Sequence, residues 1–150
     1  MVQVAYPLSI LRQVALFQDV NPASLELMLQ HMTEQRFSTG EIVFHEGDPG
    51  DRFFLILEGK MHIYVERQGT IITYTRLQHG GCFGEMALID DEPRSATVQA
   101  EEPSRCLTLS KQDFNVLLAS HPQLALGVMK NLSQRLHQIS EQIQAYVQQT

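Results

Sequence analysis

The sequence of 150 residues is poor in the features that mark several functional classes. It has no tryptophan, two cysteines, and 11 Lys and Arg residues against 17 Asp and Glu, which gives a formal net charge of −6. A nucleic-acid-binding surface needs basic side chains for several phosphates, so we expect this chain alone to bind no nucleic acid. It has no apolar run long enough to span a bilayer, and no signal-peptide pattern at its N-terminus. We therefore expect no membrane contact and a cytoplasmic location.

Residues that build metal and thiol sites are also scarce. Cys82 and Cys106 fit neither a disulfide framework nor a zinc knuckle, and we expect both to be ordinary thiols in the interior. The six His residues contain no His-x-His or His-x-x-x-His pair, which argues against a metal enzyme of the cupin type. Residues 90–92, Asp-Asp-Glu, are expected to form a solvated loop tip and not a cation site. We expect no catalysis, no metal and no cofactor.

Helical spacing at both ends brackets a central region of short strands. We predict N-terminal helices over residues 1–33, a β-roll over 34–110 and C-terminal helices over 111–150, in a single domain. Short apolar or alternating runs separated by turns predict a mainly β fold, an antiparallel jelly-roll-like β-roll with flanking helices.

Local signals predict where individual elements begin and end. Asn21-Pro22 and Ser110 are predicted to start helices, and residues 67–70 to form a hairpin turn. The first helix is predicted from Leu8, Leu11, Ala15 and Phe17, and the second from Leu25, Leu29 and Met32. The predicted strands are residues 42–44, 53–57, 61–65, 71–77, 96–100 and 105–109.

The last helix carries an apolar heptad. Its positions alternate in steps of four and three and are Ala125, Met129, Leu132, Leu136, Ile139, Ile143 and Tyr146. Such a seam is typical of a coiled coil and predicts a homodimer through this helix. The alternative is a helix that lies on its own sheet, because Leu124 and Val128 widen the stripe in that direction. Arg135 is the only charge at a g position, so both parallel and antiparallel pairing stay open.

The segment of residues 83–97 concentrates polar groups suited to one small anion. Gly84 allows close backbone approach, and the N–H groups of a helical turn at residues 85–88 can hold an anion. The guanidinium of Arg94 matches phosphate oxygens. Glu85 suits a hydroxyl donor such as a ribose 2′-OH, and Ser95 adds one donor and acceptor. The alternative is that Glu85 and Arg94 form a salt bridge that closes the loop.

The same segment, Phe-Gly-Glu-Met-Ala-Leu followed by Pro-Arg-Ser-Ala-Thr, resembles the phosphate-binding cassette of cyclic nucleotide-binding domains. This family includes the bacterial cAMP receptor protein, regulatory subunits of cAMP-dependent protein kinase and nucleotide-gated channels. The turns at Gly40, Gly47 and Gly59 resemble the family's strand-end glycines. The resemblance covers essentially the whole chain and implies N-terminal helices, an eight-stranded β-roll and a C-terminal helix that forms a dimer.

The resemblance also implies residue roles. Arg94 would pair with the cyclic phosphate and Glu85 would accept the ribose 2′-OH. The other cassette residues expected at the ligand are Phe83, Gly84, Met86, Ala87, Ser95 and Ala96. Ser95 is compatible with cAMP and with cGMP, and cAMP is the expected ligand. Alignment with the cAMP receptor protein places Ile139 and Ser140 at a Thr-Ser pair that touches adenine, the Ser coming from the partner subunit. Ile139 lacks that hydroxyl, which leaves base selectivity open.

The function implied is a non-catalytic sensor in which cyclic nucleotide binding moves the C-terminal helix. Two alternatives remain. One is a dimerisation module whose pocket takes no ligand. The other is the sensor half of a transcription regulator whose DNA-binding domain lies outside this chain.

Overall fold

Eight strands and four α-helices make up residues 6–149, the part of the chain that the computed structural model describes. The strands are β1 (Thr33–Phe37), β2 (Ile42–Phe44), β3 (Arg52–Glu58), β4 (Met61–Arg67), β5 (Thr70–Leu77), β6 (Cys82–Phe83), β7 (Thr97–Ala100) and β8 (Ser104–Ser110). The helices are α1 (Ser9–Arg12), α2 (Pro22–Gln30), α3 (Lys111–Ser120) and α4 (Pro122–Gln148), with 3₁₀ turns at Ala15–Phe17 and Glu85–Leu88.

The strands pair antiparallel in two four-stranded sheets. Their orders are β1-β8-β3-β6 and β2-β7-β4-β5. Most neighbours within a sheet are distant in sequence, so the chain crosses repeatedly from one sheet to the other, as in a jelly roll. The predicted fold class, an antiparallel β-roll with flanking helices and a long C-terminal helix, is confirmed.

The central strands β8 and β3 of the β1-β8-β3-β6 sheet are covered on both faces, which explains why four consecutive residues of β3, 53–56, are buried. Phe54 and Ile56 belong to the apolar cluster between the two sheets. Phe53 and Leu55 belong to a second cluster, formed with the helices. In that cluster the Phe53 ring meets Phe17 edge-on, with ring centroids 5.4 Å apart. Successive side chains of β3 point to opposite faces of the sheet, so this strand packs against the helices on one face and against the second sheet on the other.

The predicted element starts and turns are confirmed where the signal is local. The Asn21 side chain accepts a hydrogen bond from the Ser24 N–H at 2.8 Å, and the Ser110 side chain accepts one from the Asp113 N–H at 3.1 Å. The hairpin between β4 and β5 turns at Gln68 and Gly69, both with positive φ. Consecutive positive φ values are typical of a type I′ turn, whose twist matches the flanking strands.

The predicted continuous first helix is wrong. Helix α1 ends at Arg12, Val14 is extended, and a 3₁₀ turn at Ala15–Phe17 follows. The break allows Leu11, Leu16 and Phe17 all to be buried, which one face of a straight helix does not achieve. Arg12 Nη1 donates to the main-chain oxygens of Gln18 at 3.0 Å and Val20 at 2.7 Å, so it stabilises the irregular path.

One further sequence prediction is corrected near β1, and β1 itself was not among the predicted strands. Met32 was expected on the second helix, but α2 ends at Gln30, and Met28 is fully buried inside the helix. Strand β1 then begins at Thr33. Its first four residues are exposed, so the sequence carries no apolar alternation there. The predicted helical range also includes residues 1–5 and Thr150, which lie outside the described residues.

Helix α4 divides into a docked first part and an exposed second part. Leu124, Gly127, Val128 and Asn131 are buried, and Asn131 Nδ2 donates to Asp19 Oδ2 at 3.2 Å. Gly127 allows the close approach, because a Cβ there would lie 2.8 Å from the Asp19 main-chain oxygen. The large apolar residues of α4 that remain exposed are Leu126, Met129, Leu136, Ile139, Ile143, Tyr146 and Val147. Two predicted seam positions are not exposed: Ala125 is half-buried, and Leu132 packs partly on the domain's own core.

Candidate functional site

A cavity of about 230 Å³ lies against the cassette of residues 83–97. Aromatic rings form its apolar side: Phe44 and Phe83 line it, with ring centroids 5.9 Å apart, and Phe83 stacks on Phe54 at 4.9 Å. The full lining is Phe44, Ile63, Phe83, Gly84, Met86, Ala87, Asp90, Glu92, Pro93, Arg94, Ser95, Ala96 and Val98. Seven of the nine predicted ligand residues, all except Glu85 and Ser140, are therefore brought to one cavity.

The backbone of Arg94 is fixed to the loop that precedes β3. The Arg94 N–H donates to the Asp48 main-chain oxygen at 2.8 Å, and the Gly47 N–H donates to the Arg94 oxygen at 2.8 Å. Gly47 adopts a positive φ of 88° there, which a glycine accepts without strain. The turn of residues 46–51 therefore positions the arginine, although the two are far apart in sequence.

The side chain of Arg94 is buried, with 7% of its surface exposed. Its Cζ lies 4.0 Å from the centroid of the Phe44 ring, which makes a cation–π contact. Its Nη2 donates to the Arg52 main-chain oxygen at 2.7 Å and its Nη1 to the Gly84 oxygen at 3.5 Å. Gly84 leaves the space for this group, because a Cβ there would lie 2.5 Å from Nη1.

The charge of Arg94 has no ion-pair partner within residues 6–149. Its Nε is buried and has no hydrogen-bond partner there. Burial lowers the pKa of the guanidinium, and the charges of Asp51 and Asp48 only partly oppose this. The carbonyl oxygens that accept hydrogen bonds from this buried cation offset only part of the free energy that its removal from water costs. An anion that enters the cavity, which Arg94 lines, would supply the opposite charge that this guanidinium lacks.

The turn at residues 85–88 is present as predicted. Gly84 enters it with a φ of 78°, and the Ala87 N–H donates back to the Gly84 oxygen at 3.2 Å. The N–H groups of Glu85 and Met86 have no hydrogen-bond partner within the described chain. These two main-chain donors lie beside the cavity-lining residues Gly84 and Ala87, on the same segment as the Arg94 contact.

Glu85 lies apart from Arg94 and does not line the cavity. No salt bridge joins Glu85 to Arg94, so the alternative of a loop-closing ion pair is wrong. The half-buried Glu85 instead lies near Cys82. Burial raises the pKa of this thiol to about 12, with a smaller contribution from the Glu85 charge. The ribose role of Glu85 stays a prediction.

The acidic loop of residues 90–92 contributes to the cavity, which the sequence analysis did not foresee. Asp90 and Glu92 line the cavity, whereas Asp91 does not. Lys111 holds the loop from α3, because its Nζ donates to the Asp90 main-chain oxygen at 2.7 Å and forms an ion pair with the Asp91 carboxylate. That ion pair lowers the pKa of Asp91.

Other lining residues missed by the sequence analysis are Phe44, Ile63 and Val98. Each belongs to a strand of the β2-β7-β4-β5 sheet, and only the pairing of those strands brings them to the cassette. Ser140, predicted to touch the base, lies in the exposed part of α4 and does not line this cavity. Its role also stays a prediction.

The remaining chemistry of the described chain is limited. Cys82 and Cys106 are free thiols, and they belong to clusters on opposite faces of one sheet. Residues 6–149 hold no group of three or more His, Cys, Asp or Glu side chains placed to bind a metal ion. The same residues contain no helix with both the length and the apolar content needed to cross a membrane.

Comparison with known proteins agrees with this geometry. Residues 34–121 match the family model of the cyclic nucleotide-binding domain. A cyclic nucleotide-gated potassium channel of Mesorhizobium japonicum is 37% identical over 75% of this chain and 30% of its own length. A cAMP-dependent protein kinase regulatory subunit of Dictyostelium discoideum is 33% identical over 86% of this chain and 39% of its own length. The chain thus spans less than half the length of either relative.

A solved structure agrees over nearly the full length of both chains. It is the N-terminal domain of a transcriptional regulator from Streptomyces coelicolor, with a TM-score of 0.83 and 27% identity over 89% of this chain and 94% of that one. Because the family model covers the sheets, the cassette and α3, the chain belongs to the cyclic nucleotide-binding domain family.

Proposed function

We propose that this chain is a non-catalytic sensor domain that binds cAMP in the cavity at residues 83–97. The observation that carries the proposal is the buried guanidinium of Arg94, which has an unpaired Nε–H and no carboxylate partner within the described chain. The cyclic phosphate would take this Nε–H together with the main-chain N–H groups of Glu85 and Met86. A monoanion suits the site, because one buried cation is neutralised by one charge.

The size of the cavity supports binding of the ribose and phosphate inside it. Its volume of about 230 Å³ is below the range of about 300–1,000 Å³ of pockets that enclose a whole drug-sized ligand. The base would therefore extend out of the cavity, whose lining includes the apolar residues Ile63 and Val98. Such surface accepts adenine and guanine alike, so we propose cAMP because the kinase regulatory subunit that this chain resembles is cAMP-dependent.

Glu85 would reach the ribose 2′-OH by a side-chain rotation. It forms no hydrogen bond or ion pair within residues 6–149 that would oppose this movement. Ligand binding would thus draw the 85–88 turn toward the cavity. Glu85 and Arg135, which is on α4, both lie near the neutral thiol of Cys82. This proximity gives a route from the ligand to the C-terminal helix.

The exposed part of α4 supports a homodimer as part of the same function. Leu136, Ile139, Ile143 and Tyr146 are each more than half exposed, at 69%, 52%, 58% and 70%. They follow the heptad spacing, so a second copy of the helix would cover them. The partner helix would then bring Ser140 to the base, and ligand-driven movement of α4 would change the dimer.

Calorimetric titration of the full chain tests the proposal. We expect saturable binding of cAMP at one site per chain, with weaker binding of 2′-deoxy-cAMP because Glu85 loses its donor. The variant Glu85→Gln should bind the ribo and deoxy forms with more similar affinities than the wild type does. No binding of either cAMP or cGMP would reject the proposed function, and equal affinities for the ribo and deoxy forms would remove only Glu85 from it.

A second measurement separates the sensor from a module that only dimerises. Sedimentation of the wild type and of Leu136→Asn/Ile143→Asn should show a dimer that the double substitution dissociates. The dimer should sediment differently with cAMP if α4 moves. A dimer without nucleotide binding favours the dimerisation module.

A sensor role within a transcription regulator is the other candidate output. Its support is the structural likeness to the N-terminal domain from Streptomyces coelicolor. The sequence of the native gene beyond the codon for Thr150 tests it. An encoded helix-turn-helix domain would favour this output, and a different domain would reject it.

A further inference from the structure

The three consecutive acids at residues 90–92 do not share one environment. The middle acid, Asp91, is fully exposed and paired with Lys111. The flanking acids, Asp90 and Glu92, line the same cavity as Arg94, and neither forms an ion pair with a cation within the described residues. The Asp90 carboxylate accepts only the Glu92 main-chain N–H, at 3.2 Å.

The cavity therefore has an unusual charge balance for an anion site. Among the residues that line the cavity in the described chain, Arg94 is the only cation, and Asp90 and Glu92 are the only acids. A ligand with one negative charge satisfies Arg94 and meets limited repulsion. A ligand with a second charge gains no further cation and meets both carboxylates. Lys111 holds the main chain of the loop at Asp90, and the Glu92 N–H donates to the Asp90 carboxylate, so the loop has a defined position beside the cavity.

We propose that Asp90 and Glu92 make the site selective for a monoanionic phosphodiester over a dianionic phosphate monoester. This inference rests on the proposed binding of a cyclic nucleotide. The loop would therefore disfavour 5′-AMP, which forms when the cyclic phosphodiester of cAMP is hydrolysed. The cyclic diester carries one negative charge, and the monoester carries nearly two at about pH 7.5, since its second pKa is about 6.

The test compares two dissociation constants, for 5′-AMP and for cAMP, in matched variants of the full chain. The ratio of 5′-AMP to cAMP dissociation constants should fall about three- to tenfold in Asp90→Asn/Glu92→Gln, as expected for two charges acting through solvent-exposed protein. Asn at position 90 keeps an oxygen acceptor for the Glu92 N–H, so the loop geometry should persist. The single variant Glu92→Gln, which alters no capping contact, should give part of the same change.

The control is Asp91→Asn, which removes the same charge from the same loop but not from the cavity wall. It should change the ratio less than about twofold, because Asp91 does not line the cavity and its charge is already paired with Lys111. An equal fall in control and double variant, or an unchanged ratio in both, would overturn the inference. A loss of cAMP affinity in Glu92→Gln at an unchanged ratio would also overturn it, since Glu92 would then be a hydrogen-bond acceptor for the ligand. If the wild type binds neither nucleotide, the proposed function itself fails.

Discussion

Two arginines of this domain are held in opposite ways. Arg105 on β8 is partly exposed and donates to Glu58 and Glu34, with both distances at 3.0 Å, and these contacts raise its pKa. Arg94 is buried and donates only to carbonyl oxygens, and burial lowers its pKa. The acids that neutralise Arg105 belong to the chain itself. The isolation of Arg94 fits a group whose counter-charge arrives with a ligand.

The largest expected effect comes from removing each arginine in turn. Arg94→Ala should weaken cAMP binding by about 2–5 kcal/mol, as for truncation of a buried charge pair. Arg105→Ala should leave the affinity unchanged, because Arg105 does not line the cavity. Calorimetry on both variants, with circular dichroism to confirm folding, measures the difference. Comparable losses of cAMP affinity in the two variants would contradict a specific role of Arg94 in binding.

A smaller loss should follow when Arg94 is displaced and not removed. Gly84→Ala places a Cβ 2.5 Å from Arg94 Nη1, at a φ of 78°. Gly69→Ala is the matched control, since its φ is 77° and a Cβ there meets nothing within 4 Å. Both should lose about 1–2 kcal/mol of stability from left-handed strain.

Only Gly84→Ala should also lose cAMP affinity, by about tenfold, which corresponds to about 1.4 kcal/mol. Thermal melts and calorimetry on the pair separate backbone strain from displacement of the guanidinium. Equal affinities in the two variants would mean that the Nη1 position does not matter for binding.

The two arginines should also differ in what they contribute to the stability of the ligand-free protein. Arg94→Met keeps apolar contact with Phe44 and removes a poorly compensated buried charge, so its free energy of unfolding should stay within about 1 kcal/mol of the wild type or rise. Arg105→Met should lower stability, because Glu34 and Glu58 lose their shared partner. Urea denaturation without nucleotide measures both. A loss above about 3 kcal/mol in Arg94→Met would show that Arg94 is a structural residue.

The smallest effect concerns the tether of the acidic loop. Lys111 lowers the pKa of Asp91 below its ordinary value of 3.8. A depressed pKa stabilises the folded state above the ordinary value, and this contribution is lost as the pH falls through the folded-state pKa. The melting temperature of the wild type should therefore slightly exceed that of Asp91→Asn at neutral pH, and the difference should vanish in acid. A difference that grows in acid would contradict the ion pair.

Local chemistry explains which parts of the fold could be predicted from the sequence. Asn21 and Ser110 cap helices through contacts three residues away, and the hairpin at Gln68 and Gly69 is set by backbone preference. The break after α1 could not be predicted in this way, because it follows from the burial of Leu16 and Phe17 against strands that come later in the chain.

The candidate site also combines local features, which could be predicted, with long-range contacts, which could not. Gly84, the turn of residues 85–88 and Arg94 form a contiguous motif, so their presence at one cavity was predictable. The partners of the Arg94 guanidinium were not, because the Arg52 carbonyl and the Phe44 ring come from other strands. Asp90 and Glu92 were expected to be solvated loop residues. Only the fold separates them from Asp91, by placing Lys111 beside the middle acid.

The Nε–H of Arg94 itself gives the most direct test. In a ¹⁵N-labelled sample, its resonance can be assigned by its absence from the spectrum of Arg94→Lys. On saturation with cAMP we expect this resonance to move downfield and its exchange with water to slow, as the proton gains a phosphate acceptor. Saturable cAMP binding that leaves this resonance and its exchange rate unchanged would contradict the account.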